Sequence, residues 1–232
     1  MKKNHATLFY KKTTEYNYFC QPAAGKMKKI TYAELTFRNA PQLKGKLEKA
    51  VIGIAGCGGL GSNAAIALAR IGIGKLILVD FDVVEPTNLN RQQYFIDDIG
   101  KRKVDALEEK LKMINPFLQI EKHYEKLNGI NIKIIFKEAH IVVEAFDQVS
   151  EKAMLLKTFS GKLFKAKCLV LASGLAGCGT ANTIKTKMLS KNIFVCGDNK
   201  TDFLAEGVMA PRVMIAAGHQ ANKVVEIIDK KF

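Results

Sequence analysis

The run from Val51 to Gln93 constrains this chain more than any other. Val51–Ala55 reads V-I-G-I-A, a short apolar segment rich in β-branched residues. That pattern suits a strand buried on both faces of a parallel sheet. Gly56-Cys57-Gly58-Gly59-Leu60-Gly61 follows at once and contains G-x-G-x-x-G. Glycines permit a tight turn, let backbone N–H groups approach a phosphate and let a helix pack close on a strand. Ser62–Ile71 is dominated by Ala, Ile and Leu, which predicts a buried helix. Its N-terminus would offer unpaired N–H groups and the positive end of the helix dipole. Lys75–Val79 predicts a second strand ending in Asp80, which lies 19 residues after Gly61. A ribose-binding carboxylate is expected at roughly 20. Strand, helix and acid together make a weak fingerprint a nucleotide-binding prediction. The competing reading is a glycine turn that serves packing alone. Glycines and Asp80 by themselves admit NAD as readily as ATP.

Downstream, strand and helix patterns alternate. Lys101–Met113 predicts an amphipathic helix with Val104, Leu107 and Leu111 on one side, and Asn115-Pro116 ends it. Strands are predicted over 118–124, 140–145 and 168–172, and helices over 130–137 and 149–159. This alternation implies an α/β fold with a doubly wound, mainly parallel, Rossmann-like sheet. Thr180–Met188 alternates and Ile193–Cys196 is a short apolar run, so both are expected as strands added antiparallel at the C-terminal part of the sheet. A long helix over Val208–Ile228 closes the chain. Residues 31–49 predict short helices leading into the first strand, and residues 1–30 a tail or small added element. Residues 31–232 then form a single α/β domain.

The formal net charge is +14, which allows attraction to acidic partners, but the lysines are spread along the chain. No long basic run interleaved with aromatics is present, so nucleic-acid binding is not indicated. Five cysteines, an odd number without C-x-x-C, write neither a disulfide framework nor a zinc knuckle. The N-terminus lacks an apolar signal core and no apolar run is long enough to span a bilayer. A cytoplasmic protein without membrane partners is the expectation.

Several blocks beyond the glycines resemble the ThiF/MoeB/HesA family, the adenylating core of ubiquitin-activating-type enzymes. They are G-C-G-G-L-G at 56–61, V-D-F-D-V-V-E-P-T-N-L-N-R-Q at 79–92, G-K-R-K at 100–103, I-N-P at 114–116, V-V-E-A-F-D at 142–147 and G-V-M-A-P at 207–211. They keep the family's order, and the 79–92 block looks most like compact ThiF-type members. The resemblance implies ATP-dependent adenylation of the C-terminal glycine of a ubiquitin-like sulfur carrier ending in Gly-Gly, ThiS-like, in thiamine thiazole synthesis. It also implies a homodimer and a Mg²⁺ requirement. Its phosphate-binding pair would be Arg91 and Lys103, with Asn88 on the phosphates and Asp147 on Mg²⁺. Gly56, Gly58, Gly59, Gly61 and Asp80 complete the nucleotide site. Arg38 is the candidate for the basic residue that reaches across the dimer to the partner's ATP.

Plain readings stand beside these. Asp82 is either a loop acid or a direct or indirect participant, and Gln92 either orients Arg91 or caps the loop. Lys103 belongs to a basic trio that also fits a solvated helix start. Asp147 also fits a helix cap, and Arg38 a solvent arginine. Many relatives carry two C-x-x-C pairs for zinc; this chain carries none, so no zinc is expected. Where some ThiF proteins place a linking cysteine, this chain has Phe203; the nearest is Cys196, a covalent site or a core residue. Two other functions compete: a tRNA threonylcarbamoyladenosine dehydratase on the same core, and a non-catalytic NAD- or ATP-binding module.

Overall fold

The computed structural model describes residues 18–20, 28–161 and 164–232. Most of the expectation for residues 1–30 lies outside these, but β1 (Tyr18–Cys20) and β2 (Lys28–Ile30) pair as an antiparallel ribbon. Thr31 then caps α1 (Tyr32–Leu35) through a capping box with Glu34. Two single 3-10 turns, Pro41–Leu43 and Leu47–Lys49, lead into the sheet, so the expected short helices are present.

Seven strands form the sheet. They are β3 (Val51–Ala55), β4 (Lys75–Val79), β5 (Gln119–His123), β6 (Ile141–Glu144), β7 (Cys168–Ala172), β8 (Lys185–Ser190) and β9 (Ile193–Gly197). Their order is β5-β4-β3-β6-β7-β9-β8. The chain runs outward from β3 to β4 and β5, then returns to lay β6 against the other side of β3. The β3/β6 boundary is therefore a topological switch point, where open α/β sheets leave a crevice beyond the strand ends.

Side chains of a strand alternate between faces, and the core divides accordingly. Ile52, Ile54, Leu76, Leu78, Ile141 and Val143 pack under α2 (Gly59–Arg70), α3 (Lys103–Ile114) and α7 (Ala210–Lys231). Ile77, Val79, Val142, Leu169 and Leu171 pack under α4 (Asn131–Ile135) and α5 (Val149–Phe159). Strands covered on both faces cannot alternate polar and apolar, which is why β3, β4, β6 and β7 read as continuous apolar runs. α2 packs side by side with α7 on the same face of the sheet, and its Ala64, Ala65, Leu68 and Ala69 are wholly buried.

One strand direction differs from expectation. β8 pairs antiparallel with β9, but β9 pairs parallel with β7. The cause is the hairpin at 190–193: it reverses the chain once, so β9 re-enters the sheet in the common direction and only the edge strand β8 opposes it. The alternating stretch also starts later than expected, since Ala181–Thr183 is a 3-10 turn. A four-residue helix, α6 (Phe203–Glu206), precedes α7.

Candidate functional site

A cleft of about 1010 Å³ opens beyond the C-terminal ends of β3, β4, β6 and β7. Its floor is the glycine turn. Gly56 has φ +97°, a left-handed conformation that other residues adopt at a cost, and its N–H donates to Val79 O at 2.9 Å. Gly61 serves packing: a Cβ there would stand 1.8 Å from Gly56 O. Gly56, Gly58 and Gly59 line the cleft, whereas Gly61 lies behind the turn and brings α2 onto β3. α2 begins at Gly59 without any side-chain cap. Its first N–H groups thus remain available to an anion.

Asp80 is the acid at the end of β4, buried to 8% exposure. Its carboxylate accepts from Cys57 N at 2.6 Å and Asp82 N at 2.8 Å. Burial pushes its pKa above the usual range, against the pull of Lys103 and those two N–H donors. Lys103 opens α3 with its Nζ 2.7 Å from Asp82 Oδ2. The lysine is buried while Asp82 is half exposed, so a buried ammonium faces the cleft with one surface carboxylate as partner. The notion of Lys103 as part of a solvated helix start does not describe this burial. Tyr94 ties the two walls together, its hydroxyl donating to Cys57 O at 2.7 Å and lying 3.3 Å from Lys103 O.

The 79–92 block folds back over the turn. Pro86–Asn88 is a 3-10 turn, and buried Asn88 accepts from Glu85 N through its side-chain oxygen at 3.1 Å. Asn88 O in turn accepts from the N–H groups of Arg91 and Gln92. This places the Arg91 stem against Gly59, and its Nη1 donates to Thr87 O at 3.0 Å and Asn90 Oδ1 at 2.8 Å. Burial lowers the Arg91 pKa, partly offset by the Asp147 carboxylate. Gln92 is buried beside Gly58, and its Oε1 has no hydrogen-bond partner. A buried orphan acceptor on a cleft wall calls for a donor from a ligand or water.

Asp147 follows β6 and is exposed in the same cleft, with no hydrogen bond or ion pair of its own. Gln148, not Asp147, occupies the N-cap position of α5. Among the described residues no three His, Cys, Asp or Glu converge as a metal cage. One carboxylate facing an anion site nevertheless fits Mg²⁺, which takes one or two carboxylates and fills its shell with phosphate oxygens and water.

The cleft thus brings together Gly56, Gly58, Gly59, Asp80, Asp82, Asn88, Arg91, Gln92, Lys103 and Asp147. It does not include Arg38, which is exposed near the opposite end of α2, where Tyr32 Oη and Asn39 Nδ2 donate to Gly72 O and Ile71 O. A 12-residue helix is roughly 18 Å long, so Arg38 does not serve this chain's own cleft. Cys196 lies fully buried on β9, its thiol pushed up to about 11 by burial, away from the cleft lining. Sequence reasoning missed two ion pairs beside the cleft, each holding an acid whose side chain is buried. Lys152 Nζ meets Glu144 Oε1 at 2.8 Å, and Arg212 Nη2 meets Asp198 Oδ2 at 2.6 Å. An acid closing the apolar run I-V-V-E was the available signal for the first, because a buried carboxylate needs a partner.

A Rossmann-like sheet with a glycine turn, a buried acid at the second strand's end and cations over a switch-point crevice defines a nucleotide-binding α/β protein. The ThiF family profile matches residues 33–231, and the chain belongs to that family. It is 28% identical over 181 residues to the molybdopterin-synthase adenylyltransferase of Escherichia coli, covering 75% of this chain and 71% of that protein. It is 37% identical over 111 residues to the adenylyltransferase and sulfurtransferase MOCS3 of Anopheles gambiae, covering 47% of this chain but only a quarter (25%) of that longer protein. The tRNA N6-threonylcarbamoyladenosine dehydratase of E. coli, solved with AMP, shares the fold at a TM-score of 0.75 with 22% identity, over 86% of this chain and 93% of that one. No helix among the described residues is long and apolar enough to cross a membrane.

Proposed function

We propose that this protein uses ATP to adenylate the C-terminal glycine of a ubiquitin-like carrier protein. The convergence of the glycine turn, Asp80, Arg91, Lys103 and Asp147 on one cleft carries this reading. In the reaction a carboxylate oxygen of the carrier attacks the α-phosphorus, a C–O–P bond forms and the α–β P–O bond breaks. Its electron pair leaves on pyrophosphate, and AMP stays on the carrier. No protein nucleophile enters, so the chain's task is to position the reactants and neutralise developing charge. Gly58, Gly59 and the uncapped start of α2 cradle phosphate oxygens. Asp80 accepts from the ribose hydroxyls. Arg91 forks two oxygens, and Lys103 leaves Asp82 for the phosphates as a point charge. Asn88 shapes the loop that aims Arg91. Asp147 would hold Mg²⁺, which when bound neutralises pyrophosphate charge.

NAD binds without a divalent metal ion and carries less charge than a triphosphate, so it would leave Asp147 without a task and Arg91 and Lys103 with less to neutralise, which favours Mg·ATP over NAD. The carrier's finer identity is part of the proposal: a ThiS-like protein on the sequence resemblance, or a molybdopterin-synthase partner as the E. coli relative's name suggests. A homodimer in which Arg38 serves the partner's cleft completes the reading. The test is incubation with Mg·ATP and each carrier ending in Gly-Gly. The carrier should gain the mass of AMP, with pyrophosphate released in equal amount. No gain with any such carrier ends the proposal. The +14 charge keeps one second reading in view, activation of a carboxylate on tRNA. It would show as tRNA binding that weakens steeply with salt.

A further inference from the structure

Asp147 makes no hydrogen bond or ion pair of its own, feels the Arg91 charge only at longer range, and sits in the turn between β6 and α5. The turn that carries it is nevertheless tied, through Phe146 N and the Lys152 side chain, to a residue three positions earlier. Glu144 is 0% exposed. Its Oε1 accepts from Phe146 N, the residue before Asp147, at 2.7 Å. The same oxygen receives Lys152 Nζ, on the first turns of α5, at 2.8 Å. Glu144 Oε2 accepts from Ala172 N at the tip of β7, at 3.2 Å, and Lys152 Nζ also donates to Ala172 O at 3.1 Å. On the backbone side, Gln220 Nε2 from α7 donates to Glu144 O at 2.7 Å and Val170 O at 3.2 Å. One carboxylate therefore joins the turn, the following helix and the neighbouring strand.

Stability does not explain the arrangement. A buried carboxylate pays a desolvation cost of several kcal/mol, and well-packed apolar substitutes for such pairs are often neutral or better. What an ion pair supplies here that an apolar core does not is a fixed direction for the chain segment leaving β6.

We infer that Glu144, with Lys152, is a positioning residue: it holds the 145–148 turn so that the otherwise unsupported Asp147 meets a nucleotide-bound divalent cation. This rests on the reading of Asp147 as the Mg²⁺ ligand. Groups that orient a metal ligand without touching the metal typically change metal affinity by about 10- to 100-fold when removed. The pair acts one step further out, through the backbone, so the lower end of that range applies.

The test reads binding, not turnover. The dissociation constant of α,β-methylene-ATP is measured with and without Mg²⁺ for wild type, Asp147→Asn, Glu144→Gln, Glu144→Asp and the Asp147→Asn/Glu144→Gln double variant, with thermal melts alongside. Asp147→Asn should abolish the gain in affinity that Mg²⁺ confers. Glu144→Gln should leave metal-free binding within about twofold and cut the Mg²⁺ gain by roughly tenfold. Glu144→Asp should recover part of it, and the double variant should lose no more than Asp147→Asn alone. If Asp147→Asn loses the gain while folded Glu144→Gln keeps it, the positioning role is overturned and the metal role of Asp147 stands. If Asp147→Asn keeps the gain, the metal reading fails and takes the positioning role with it. Should Glu144→Gln not fold, the Glu144→Gln/Lys152→Met double variant bears the same expectation for the Mg²⁺ gain, since it frees the turn and leaves no unpaired buried charge.

Discussion

Gly61→Ala tests whether the glycine turn is built by close approach. Two effects oppose each other at this position. Gly61 lies inside α2, so alanine would gain about 1 kcal/mol of helix propensity. Against that, the new Cβ would sit 1.8 Å from Gly56 O, 2.9 Å from Gly56 C and 3.1 Å from Ile54 Cγ2. The nearest neighbour is backbone and cannot rotate away. Restoring an ordinary contact of 3.4 Å separates α2 from the turn by roughly 1.6 Å in an interior that transmits strain. Overpacking costs about 1–3 kcal/mol, and a clash with backbone belongs in the upper half of that range, about 2–3 kcal/mol, so the clash wins and the net loss is about 1–2 kcal/mol. For a domain of this size that lowers Tm by about 2–8 °C. The same movement displaces the N–H groups facing the cleft, and a misplacement near 1 Å slows the positioned reaction by about 10²-fold. Thermal melts and the rate of pyrophosphate release measure both, with Gly129→Ala as control because nothing lies within 4 Å of a Cβ there. A Gly61→Ala protein that melts and reacts as wild type does would refute the close-approach reasoning.

Other outcomes follow from the same geometry. Lys103→Ala should slow carrier adenylation by about 10²- to 10³-fold, read as pyrophosphate release, while circular dichroism shows a folded chain. Gly218→Ala, in exposed helix with open space at its Cβ, should stabilise the protein by about 1 kcal/mol in urea unfolding without changing adenylation. For Asp198, burial alone pushes the pKa up. Hydrogen bonds from Thr201 and Lys200 and the Arg212 guanidinium outweigh it and hold the net value below the usual range. A carboxylate depressed in the folded state stabilises fully above its unfolded pKa of about 3.9 and loses that contribution as pH falls through the lower folded value. Melting temperatures of wild type and Asp198→Asn should therefore lie apart at pH 6 and converge as pH drops below about 3.9. A constant gap down to pH 2.5 would refute the ionic account. Cys196→Ala should adenylate the carrier as wild type does, and a reductant-sensitive adduct lost in that variant would overturn the reading of Cys196 as core.

Val51–Ala55 and Lys75–Val79 could be placed from sequence because strands buried on both faces must be apolar throughout. Gly56, Gly61 and Asp80 were legible because turn, helix and carboxylate are neighbours along the chain, and spacing records their relation. Lys103 and Asp147 came through motif blocks rather than through any local pattern. The direction of β9 was not legible, since an apolar run pairs equally well either way and a hairpin at 190–193 decides it. Nor was the location of Arg38, at the far end of α2 from this chain's cleft.

Sequence alone therefore determined what is written in local periodicity: the α/β alternation, the glycine turn and the acid that follows it. Only the tertiary structure decided which distant groups meet. It joined Glu144 to Lys152 and Ala172, Asp198 to Arg212, and Lys103 to Asp82. The physical reason is that a buried charge must find its partner in space, and nothing in the order of residues along the chain records that distance.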